Sequence, residues 1–378
     1  MIVQHLVLWC AALLAAGTAV GLLFPLPCYL PLLAAAVVAC LLLRKSSHLH
    51  DVLTIAVWLL IGCSRAYVYQ ETSGCPQGQC AFAERALQKA GRIQDALAGR
   101  LEGAHLTPSA RVLCSALVLG KKDGLTRETR QAYARAGASH LLALSGMHLG
   151  IIYGLLYLVL IRWVRLSRWR WHALPLILLL LWSYTLVAGK PVSLVRAAIM
   201  LSVFTVAWLR QYTTDPLHPL ALSAIIILLV SPTALFSISF QLSFSAVFFI
   251  IALWGPLSES FPKLPWALRM LAVSCIAQLG TMPLTLYYFH QLPLLAPLFS
   301  LVLIPLTTLI IYLTLAALVL PLAPLGQVLS LLVALQQEVV DLGGSLPGGT
   351  LTGFCPDGIW VALTYGALMI AIVRLRTR

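Results

Sequence analysis

Charged side chains are scarce in this sequence. Only 10% of the 378 residues are Asp, Glu, Lys or Arg, whereas 60% are hydrophobic, and the mean hydropathy is +0.93. Soluble domains carry roughly 25% charged residues, so a soluble globular protein is excluded. Apolar runs long enough to cross a bilayer recur along most of the chain. The sequence therefore predicts an all-α polytopic membrane protein, because a helix satisfies its own backbone hydrogen bonds within lipid.

Several motifs that carry chemistry are also missing. No G-x-x-x-x-G-K-[ST] stretch occurs, so we expect no ATP hydrolysis by a P-loop. The H-E-x-x-H motif of zinc proteases is also missing. The nine cysteines form no C-x-x-C pair and no Cys/His zinc spacing, and we expect neither a metal nor another cofactor. Cys75 and Cys80 share a polar loop, and the sequence is equally compatible with a disulfide between them and with two free thiols.

The apolar runs predict about 10–11 transmembrane helices and two amphipathic interfacial helices. They divide the chain into N-terminal transmembrane helices (1–69), an extracytoplasmic or interfacial helical region (70–138) and a dense transmembrane domain (139–378). The predicted spans lie near 6–24, 29–43, 52–69, 140–161, 173–188, 192–209, 217–231, 240–257, 269–289, 293–320 and 357–373, and the interfacial helices near 82–102 and 326–342.

Basic loops orient the chain. The net charge is +13, and the loops "RKSSHLH" and "RWVRLSRWRWH" are predicted to face the cytoplasm. This orientation places residues 70–138 outside and starts "SHLLALSGMHLG" at the outer face. The tail "RLRTR" also favours the cytoplasm, but a count of the predicted spans puts it outside. One segment must therefore be re-entrant or interfacial, and the candidates are 293–320 and 324–341.

Polar groups open the predicted span at 140–161. Ionisable groups at bilayer depth are tolerated mainly where they face a bundle interior or a wet cavity. We expect one face of this helix to pack through small residues and the opposite face to present Ser145 and His148, preceded by His140. The alternative is that these groups only satisfy neighbouring carbonyls. The residues of the packing face are Gly146, Gly150 and Gly154.

Later spans carry more polar residues. Arg196 lies one and a half turns into its span, after Lys190, and a buried arginine needs an anion, carbonyls or water. Alternating serines in "SISFQLSFS" indicate either an extended segment lining a cavity or the start of a helix. The remaining polar candidates are Gln241, Ser243, Gln278, Thr281, His290 and Gln291.

Several of these stretches together resemble the ComEC competence family. The resemblance is carried by "ALVLGKKDGLTRETRQAYARAGASHLLALSGMHLGIIYGLLY", "KPVSLVRAAIML", "DPLHPLALSAIIILLVSPTALFSISFQLSFSAV" and "AQLGTMPLTLYYFHQLPLLAPLFSLVLIPL", over roughly 107–320. It implies a multi-pass channel of the bacterial inner (cytoplasmic) membrane that conducts single-stranded DNA into the cytoplasm during natural transformation, and not an enzyme. We expect no OB-like domain within 70–106, and no metallo-β-lactamase-like domain, since no H-x-H-x-D-H signature occurs.

The resemblance also implies partners and a path. The partners are single-stranded DNA, the lipid bilayer, a DNA receptor on the outer side and a cytosolic ATP-driven motor; the oligomeric state stays open. The side chains expected to line the DNA path are His140, Ser145, His148, Lys190, Arg196, Gln241, Ser243, Gln278, Thr281, His290 and Gln291.

Three alternatives remain open. An intramembrane serine protease of rhomboid type would use Ser145 as nucleophile and His148 or His290 as base. A small-molecule transporter would be expected to show inverted repeats, and no convincing repeat is visible. A homologue that keeps the fold but no longer transports DNA is the third.

Overall fold

The computed structural model describes residues 6–24, 47–72, 80–122, 124–142, 144–163, 170–189, 191–209, 215–346 and 349–376, together with isolated positions between 26 and 37. Most of the predicted span at 29–43, Cys75 and Lys190 lie outside the described residues, as does the side chain of Cys80. The expectations that concern them therefore remain expectations.

The chain divides into two compact units. One comprises Met1–Cys80 and Ser202–Phe244, and the other Ala81–Leu201 and Ser245–Arg378. The helices are α1 (Leu6–Leu23), α2 (Ser47–Thr72), α3 (Cys80–Arg100), α4 (Pro108–Cys114), α5 (Arg127–Arg135), α6 (Ser139–Leu142), α7 (Gly146–Tyr157), α8 (Arg170–Val187), α9 (Val192–Leu209), α10 (Leu217–Val230), α11 (Ile238–Ser260), α12 (Trp266–Phe289), α13 (Ala296–Val319), α14 (Ala323–Ser345) and α15 (Gly358–Arg376). Two short strands, β1 (Gln291–Pro293) and β2 (Thr350–Thr352), pair antiparallel.

Small residues hold the first unit together. A Cβ added to Gly17 of α1 would lie 2.0 Å from the carbonyl oxygen of Leu59 in α2, and one added to Gly21 would lie 2.6 Å from the Cα of Cys63. The Cys63 thiol also donates to the Gly17 carbonyl at 3.1 Å. Glycine therefore permits backbone contact between α1 and α2, as in transmembrane helix pairs that associate through small residues.

A helical hairpin of α13 and α14 forms the centre of the second unit. Gln336 of α14 donates from Nε2 to the hydroxyl of Thr307 in α13 at 3.2 Å, and both side chains are fully buried. At the open end of the hairpin, β1 before α13 pairs with β2 after α14, with Leu292 opposite Leu351. The hairpin therefore begins and ends at the same edge of the unit.

The segment between α3 and α6 runs along this hairpin. Near the turn that joins α13 to α14, which is the closed end of the hairpin, Arg100 donates to the Leu318 carbonyl. A Cβ added to Gly326 there would lie 1.6 Å from the Ala104 carbonyl oxygen, which is a clash. Near its open end, a Cβ on Gly344 would contact the Cβ of Arg135. Residues 326 and 344 are separated by about 27 Å along a helix.

The segment therefore follows the hairpin over most of its length. Leu101 and Leu113–Leu119 are buried in the main hydrophobic core. The sequence predicts that residues 70–138 lie outside or at the interface, and no pattern in it indicated that "LCSALVL" supplies core side chains. The reason is that this run is too short to be predicted as a span.

The helical composition confirms the fold class. Within the described residues, the helices long and apolar enough to cross a membrane are α11, α12, α13 and α14; shorter apolar helices include α1, α7, α8, α9, α10 and α15. The stretch at 326–342, predicted as interfacial, lies in α14, which qualifies as a span by length and composition. The stretch at 293–320 forms a single α13 that continues through Pro305.

Candidate functional site

The predicted span at 140–161 is interrupted near its beginning. Helix α6 ends at Leu142, and α7 begins at Gly146. Ser145 precedes α7 as its N-cap with extended backbone angles, φ −118° and ψ 170°. Serine is a favoured N-cap residue because its side chain can hydrogen-bond to the backbone of the first turn. The expectation of one continuous helix is corrected: α7 starts after a break.

Ser145 and His148 form a direct pair at this break. The Nδ1 atom of His148 lies 2.9 Å from Ser145 Oγ and accepts a hydrogen bond from the Ser145 backbone N–H at 3.3 Å. His148 is only 1% exposed. The side chain therefore folds back over the first turn of its own helix and does not extend from the helix face as predicted.

Helix α9 packs against the same turn. The Ser193 hydroxyl donates to the Leu144 carbonyl at 2.6 Å, and a Cβ on Gly146 would lie 3.2 Å from the Cβ of Ala197. Arg196, the residue before Ala197, is only 2% exposed. The structure thus brings two predicted site elements together: the α7 N-terminus with His148, and the α9 turn that carries Arg196.

An apolar cluster surrounds this turn. It contains Leu149 of α7, Leu181 of α8, and Leu194 and Ala198 of α9, all fully buried. No Asp or Glu occurs between residues 129 and 214, so helices α6 to α9 contribute no acid. Low polarity strengthens electrostatic interactions, so the environment of this turn is apolar and carries no acidic side chain from these helices.

Tyr184 of α8 was missed by the sequence analysis. Its hydroxyl donates to the Val118 carbonyl at 2.7 Å. Next to it, Gly120 adopts a left-handed conformation (φ 78°), and a Cβ there would come to 2.7 Å from the Leu144 side chain. The segment 118–120 is therefore held beside the helix break. A single tyrosine in the apolar run "LLLLWSYTLV" was the available signal, because a buried hydroxyl needs a partner.

The predicted glycine packing face of α7 and the predicted position of His140 differ from the structure. A Cβ on Gly150 or Gly154 would meet no atom within 4 Å in the described part of the chain, so the close approach occurs at Gly146 and not along the whole predicted glycine face. Because α7 begins at Gly146, this contact lies at the helix N-terminus. His140 is exposed in α6 and does not share the enclosed position of His148.

The polar residues of α12 are satisfied close by. Gln278 donates from Nε2 to the Pro293 carbonyl at 2.8 Å, and the Thr281 hydroxyl donates to the Ala277 carbonyl at 2.9 Å. His290 ends α12 in a left-handed conformation with an exposed side chain, and Gln291 begins β1. None of these contacts joins these residues to His148.

Gln241 and Ser243 belong to the first unit. Helix α11 begins at Ile238, and the Ser237 hydroxyl accepts from the Phe240 backbone N–H at 3.2 Å as in an N-cap. Gln241 donates to the Leu235 carbonyl at 3.1 Å, while Ser243 is half-buried. The alternating serines therefore start a helix, and the extended cavity-lining alternative is ruled out for this segment.

A second polar contact set links α11, α12 and α15 in the second unit. The hydroxyls of Ser245 and Tyr365 both donate to the Gly280 carbonyl, and the two hydroxyls are 3.2 Å apart. Sequence reasoning could not have found this set, because Tyr365 lies 85 residues from its acceptor. It anchors α15 on α12.

The site provides N–H and O–H donors, not a metal-ligand set. Within the described residues, no group of three His, Cys, Asp or Glu side chains could hold a metal ion. The first turn of α7 is capped by the side chains of Ser145 and His148, and the buried Arg196 lies on the α9 turn that packs against it. The Ser145 hydroxyl can also transfer its proton to His148.

Comparisons with known proteins agree with the resemblance noted above. The family model described as Competence protein matches residues 117–378. ComE operon protein 3 of Bacillus subtilis (strain 168) is 36% identical over 206 residues, which are 54% of this chain and 25% of that protein. An uncharacterized protein of Aquifex aeolicus (strain VF5) is 29% identical over 185 residues, 49% of this chain and 42% of that protein.

The match thus covers less than half the length of these curated relatives. No solved structure matches the chain. The family model nevertheless covers more than half of the chain, including both α7 and α9, which meet at the helix break. This chain is therefore a multi-pass membrane protein of the Competence family.

Proposed function

We propose that this chain conducts single-stranded DNA across the bacterial inner membrane during natural transformation. The observation that carries the proposal is a helix break within an apolar cluster: the start of α7, which carries the buried His148, packs at Gly146 against the α9 turn that carries the buried Arg196. Irregular backbone at membrane depth is tolerated only where it is buried in protein or lines a cavity. Membership of the Competence family supports the same conclusion.

The electrostatics of this region suit a polyanion. A single strand carries one negative charge per nucleotide, and its passage needs positive bias without tight binding. The stretch from 129 to 214 contains lysines and arginines but no acid. Donors from hydroxyl, amide and guanidinium groups can bind phosphates without reading the base sequence.

The proposed function requires partner proteins for the delivery and the movement of the strand. No P-loop sequence occurs in the 378 residues, so movement of the strand would depend on an ATP-driven motor in the cytosol. A receptor on the outer side would deliver the strand. Of the residues expected to line the path, we retain Ser145, His148 and Arg196 as central, because the first two begin α7 and the third lies on the α9 turn packed against it.

Uptake of labelled DNA by complemented deletion strains tests the proposal. We expect Arg196→Ala to reduce uptake by about tenfold or more, since a buried charged donor contributes more than 1.4 kcal/mol to a phosphate contact. Lys263→Ala removes an exposed charge in the loop before α12 and should retain uptake. Equal amounts of both variants in the membrane must be verified. Normal uptake in the deletion strain itself would refute the proposal.

A serine hydrolase is the second candidate, because Ser145 Oγ and His148 Nδ1 lie within hydrogen-bond distance, at 2.9 Å. A catalytic histidine is ordinarily oriented by a third group on its other nitrogen. Among the described residues, no protein atom bonds to His148 Nε2. Ser145→Ala separates the candidates: a hydrolase would lose its activity, whereas DNA uptake should persist, since the His148 and Arg196 side chains remain.

A further inference from the structure

A cleft of about 380 Å³ lies between α3 and the segment that runs from α4 to Gly124. In one of the two ion pairs that line it, Asp95 of α3 contacts Lys121. In the other, Glu102, which follows α3, contacts Arg111 of α4 at 3.2 Å. The two acidic side chains are 69% and 67% exposed. One wall of the cleft is therefore acidic, and the opposite wall is basic.

Contacts with the α13–α14 hairpin locate one end of this cleft. The residues around Glu102 lie at the closed end of the hairpin, where Ala104 contacts Gly326. Helix α4 starts farther along α14, because the Thr107 backbone N–H donates to the Ser330 hydroxyl at 3.1 Å. Ser330 lies about 10 Å from the start of α14. The cleft therefore begins near the closed end and extends beside the hairpin.

The other ion pair lies farther from the closed end, next to Gly120. A Cβ on Gly120 would lie 2.7 Å from the Leu144 side chain. Leu144 lies midway in the sequence between Gly137, which packs against the first residue of α13 at the open end, and Ile151. The Ile151 carbonyl accepts a hydrogen bond from the hydroxyl of Tyr312, in the second half of α13, at 3.3 Å. The cleft therefore lies within the length of the hairpin.

A cleft at this position lies at membrane depth, because α13 and α14 are long and apolar enough to cross a membrane. Charged side chains at this depth almost always face a bundle interior or a water-filled cavity. Lysine and arginine can extend their head groups to the interface, whereas the short side chain of Asp95 cannot. The exposed Asp95 carboxylate therefore requires water in the cleft, since contact with lipid would be costly.

We infer that the cleft between α3 and α4 is a water-filled passage within the membrane, accessible to hydrophilic solutes. Its volume leaves room for several water molecules. The acidic and basic walls balance each other, so a charged solute is not held tightly, and weak retention is what passage requires. The inference differs from the expectation that residues 70–138 lie wholly outside or at the interface. It does not depend on the proposed function, because any hydrophilic solute requires the same water.

Cysteine accessibility of the full chain in lipid nanodiscs tests the inference. Val112→Cys places a thiol on the basic wall of the cleft, at a half-buried position. Leu331→Cys is the matched control, because Leu331 follows Ser330 at the level where α4 begins and is 70% exposed on the hairpin. The exposed native cysteines are replaced by alanine in both proteins. The probe is a charged, membrane-impermeant methanethiosulfonate, which reacts with thiolates, and thiolates form in water and not in lipid.

We expect Val112→Cys to react at least about tenfold faster than Leu331→Cys. Complete labelling of both variants in SDS shows that their thiols are intact, and tryptophan fluorescence shows that both are folded. Equally slow reaction of the two folded proteins would mean that water does not reach the cleft. Equally rapid reaction would mean that the hairpin is not surrounded by lipid at this level. Either result would overturn the inference, and neither bears on DNA uptake.

Discussion

The Thr350 hydroxyl donates to the Arg135 carbonyl oxygen at 3.1 Å, joining positions 215 residues apart. Thr350 lies in β2, which pairs with β1 immediately before α13. The C-terminus of α5, the start of α13 and the end of α14 therefore meet at one end of the hairpin. The basic loops predict this end to be outside. Helix α13 would then run inward, α14 outward and α15 inward.

We accordingly predict that the C-terminal tail lies in the cytoplasm. Counting α14 as a span resolves the conflict between the predicted spans and the basic tail "RLRTR". Alkaline phosphatase fused after Gly353 should be active, because this enzyme folds only outside the cytoplasm. The same enzyme fused after Arg376 should be inactive, and green fluorescent protein there should fluoresce. The opposite pattern would mean that α14 does not cross the membrane.

The buried Gln336 should contribute to the stability of the hairpin. Gln336→Leu removes its hydrogen bond to Thr307, and we expect a loss of about 1 kcal/mol in the free energy of unfolding, as for other interhelical hydrogen bonds in membrane proteins. Unfolding by SDS in mixed micelles, followed by tryptophan fluorescence, measures it. Gln337→Leu is the control, since Gln337 is only half-buried and its side chain donates to Asp341 on its own helix. Equal losses in both variants would contradict a specific role for Gln336.

Glycine substitutions should have opposite effects in the two units. Gly17→Ala places a methyl group against the Leu59 carbonyl, and we expect a destabilisation of about 1–3 kcal/mol from overpacking. Gly91→Ala in α3 meets no atom within 4 Å among the described residues. It should stabilise by about 0.5–1 kcal/mol through helix propensity. Thermal unfolding in detergent compares the two, and a stable Gly17→Ala would show that α1 and α2 can separate.

Tyr133 should make stability depend on high pH. Burial raises the pKa of its hydroxyl above the ordinary value, and the nearby Asp341 carboxylate raises it further. The folded state therefore holds this proton more tightly than the unfolded state. Its contribution is complete below about pH 10 and declines by up to about 1.4 kcal/mol per pH unit as the pH rises beyond that value.

Comparison of wild type with Tyr133→Phe isolates this contribution. The difference in the free energy of unfolding between the two proteins should be constant from pH 8 to 9 and should change above pH 10 in favour of the variant. Tyr287→Phe is the control, because it removes one phenol hydroxyl from an exposed ring on α12. A pH-independent difference would mean that Tyr133 reaches water in the folded protein.

Some of the site was predictable from residue type alone. A serine and a histidine three positions apart, and an arginine within an apolar span, are costly in lipid wherever they lie. Their selection needed no knowledge of the fold. The same reasoning could not distinguish His148 from His140, because the burial of one and the exposure of the other follow from the tertiary packing.

Other contacts depend on residues far apart in the chain. The bond between Gln336 and Thr307 and the bonds of Ser245 and Tyr365 to Gly280 join helices whose pairing no local pattern encodes. The backbone approach at Gly17 is comparable, since a glycine in an apolar run does not indicate which helix it faces.

The amino-acid sequence by itself determined the class of this protein and the position of most helices, because hydrophobicity and helix length respond to the bilayer residue by residue. It also determined the positive net charge, which depends only on composition. The tertiary structure alone decided where α7 begins and which polar groups are enclosed. Each of these depends on a close contact between helices, and such contacts are settled by packing over the whole unit.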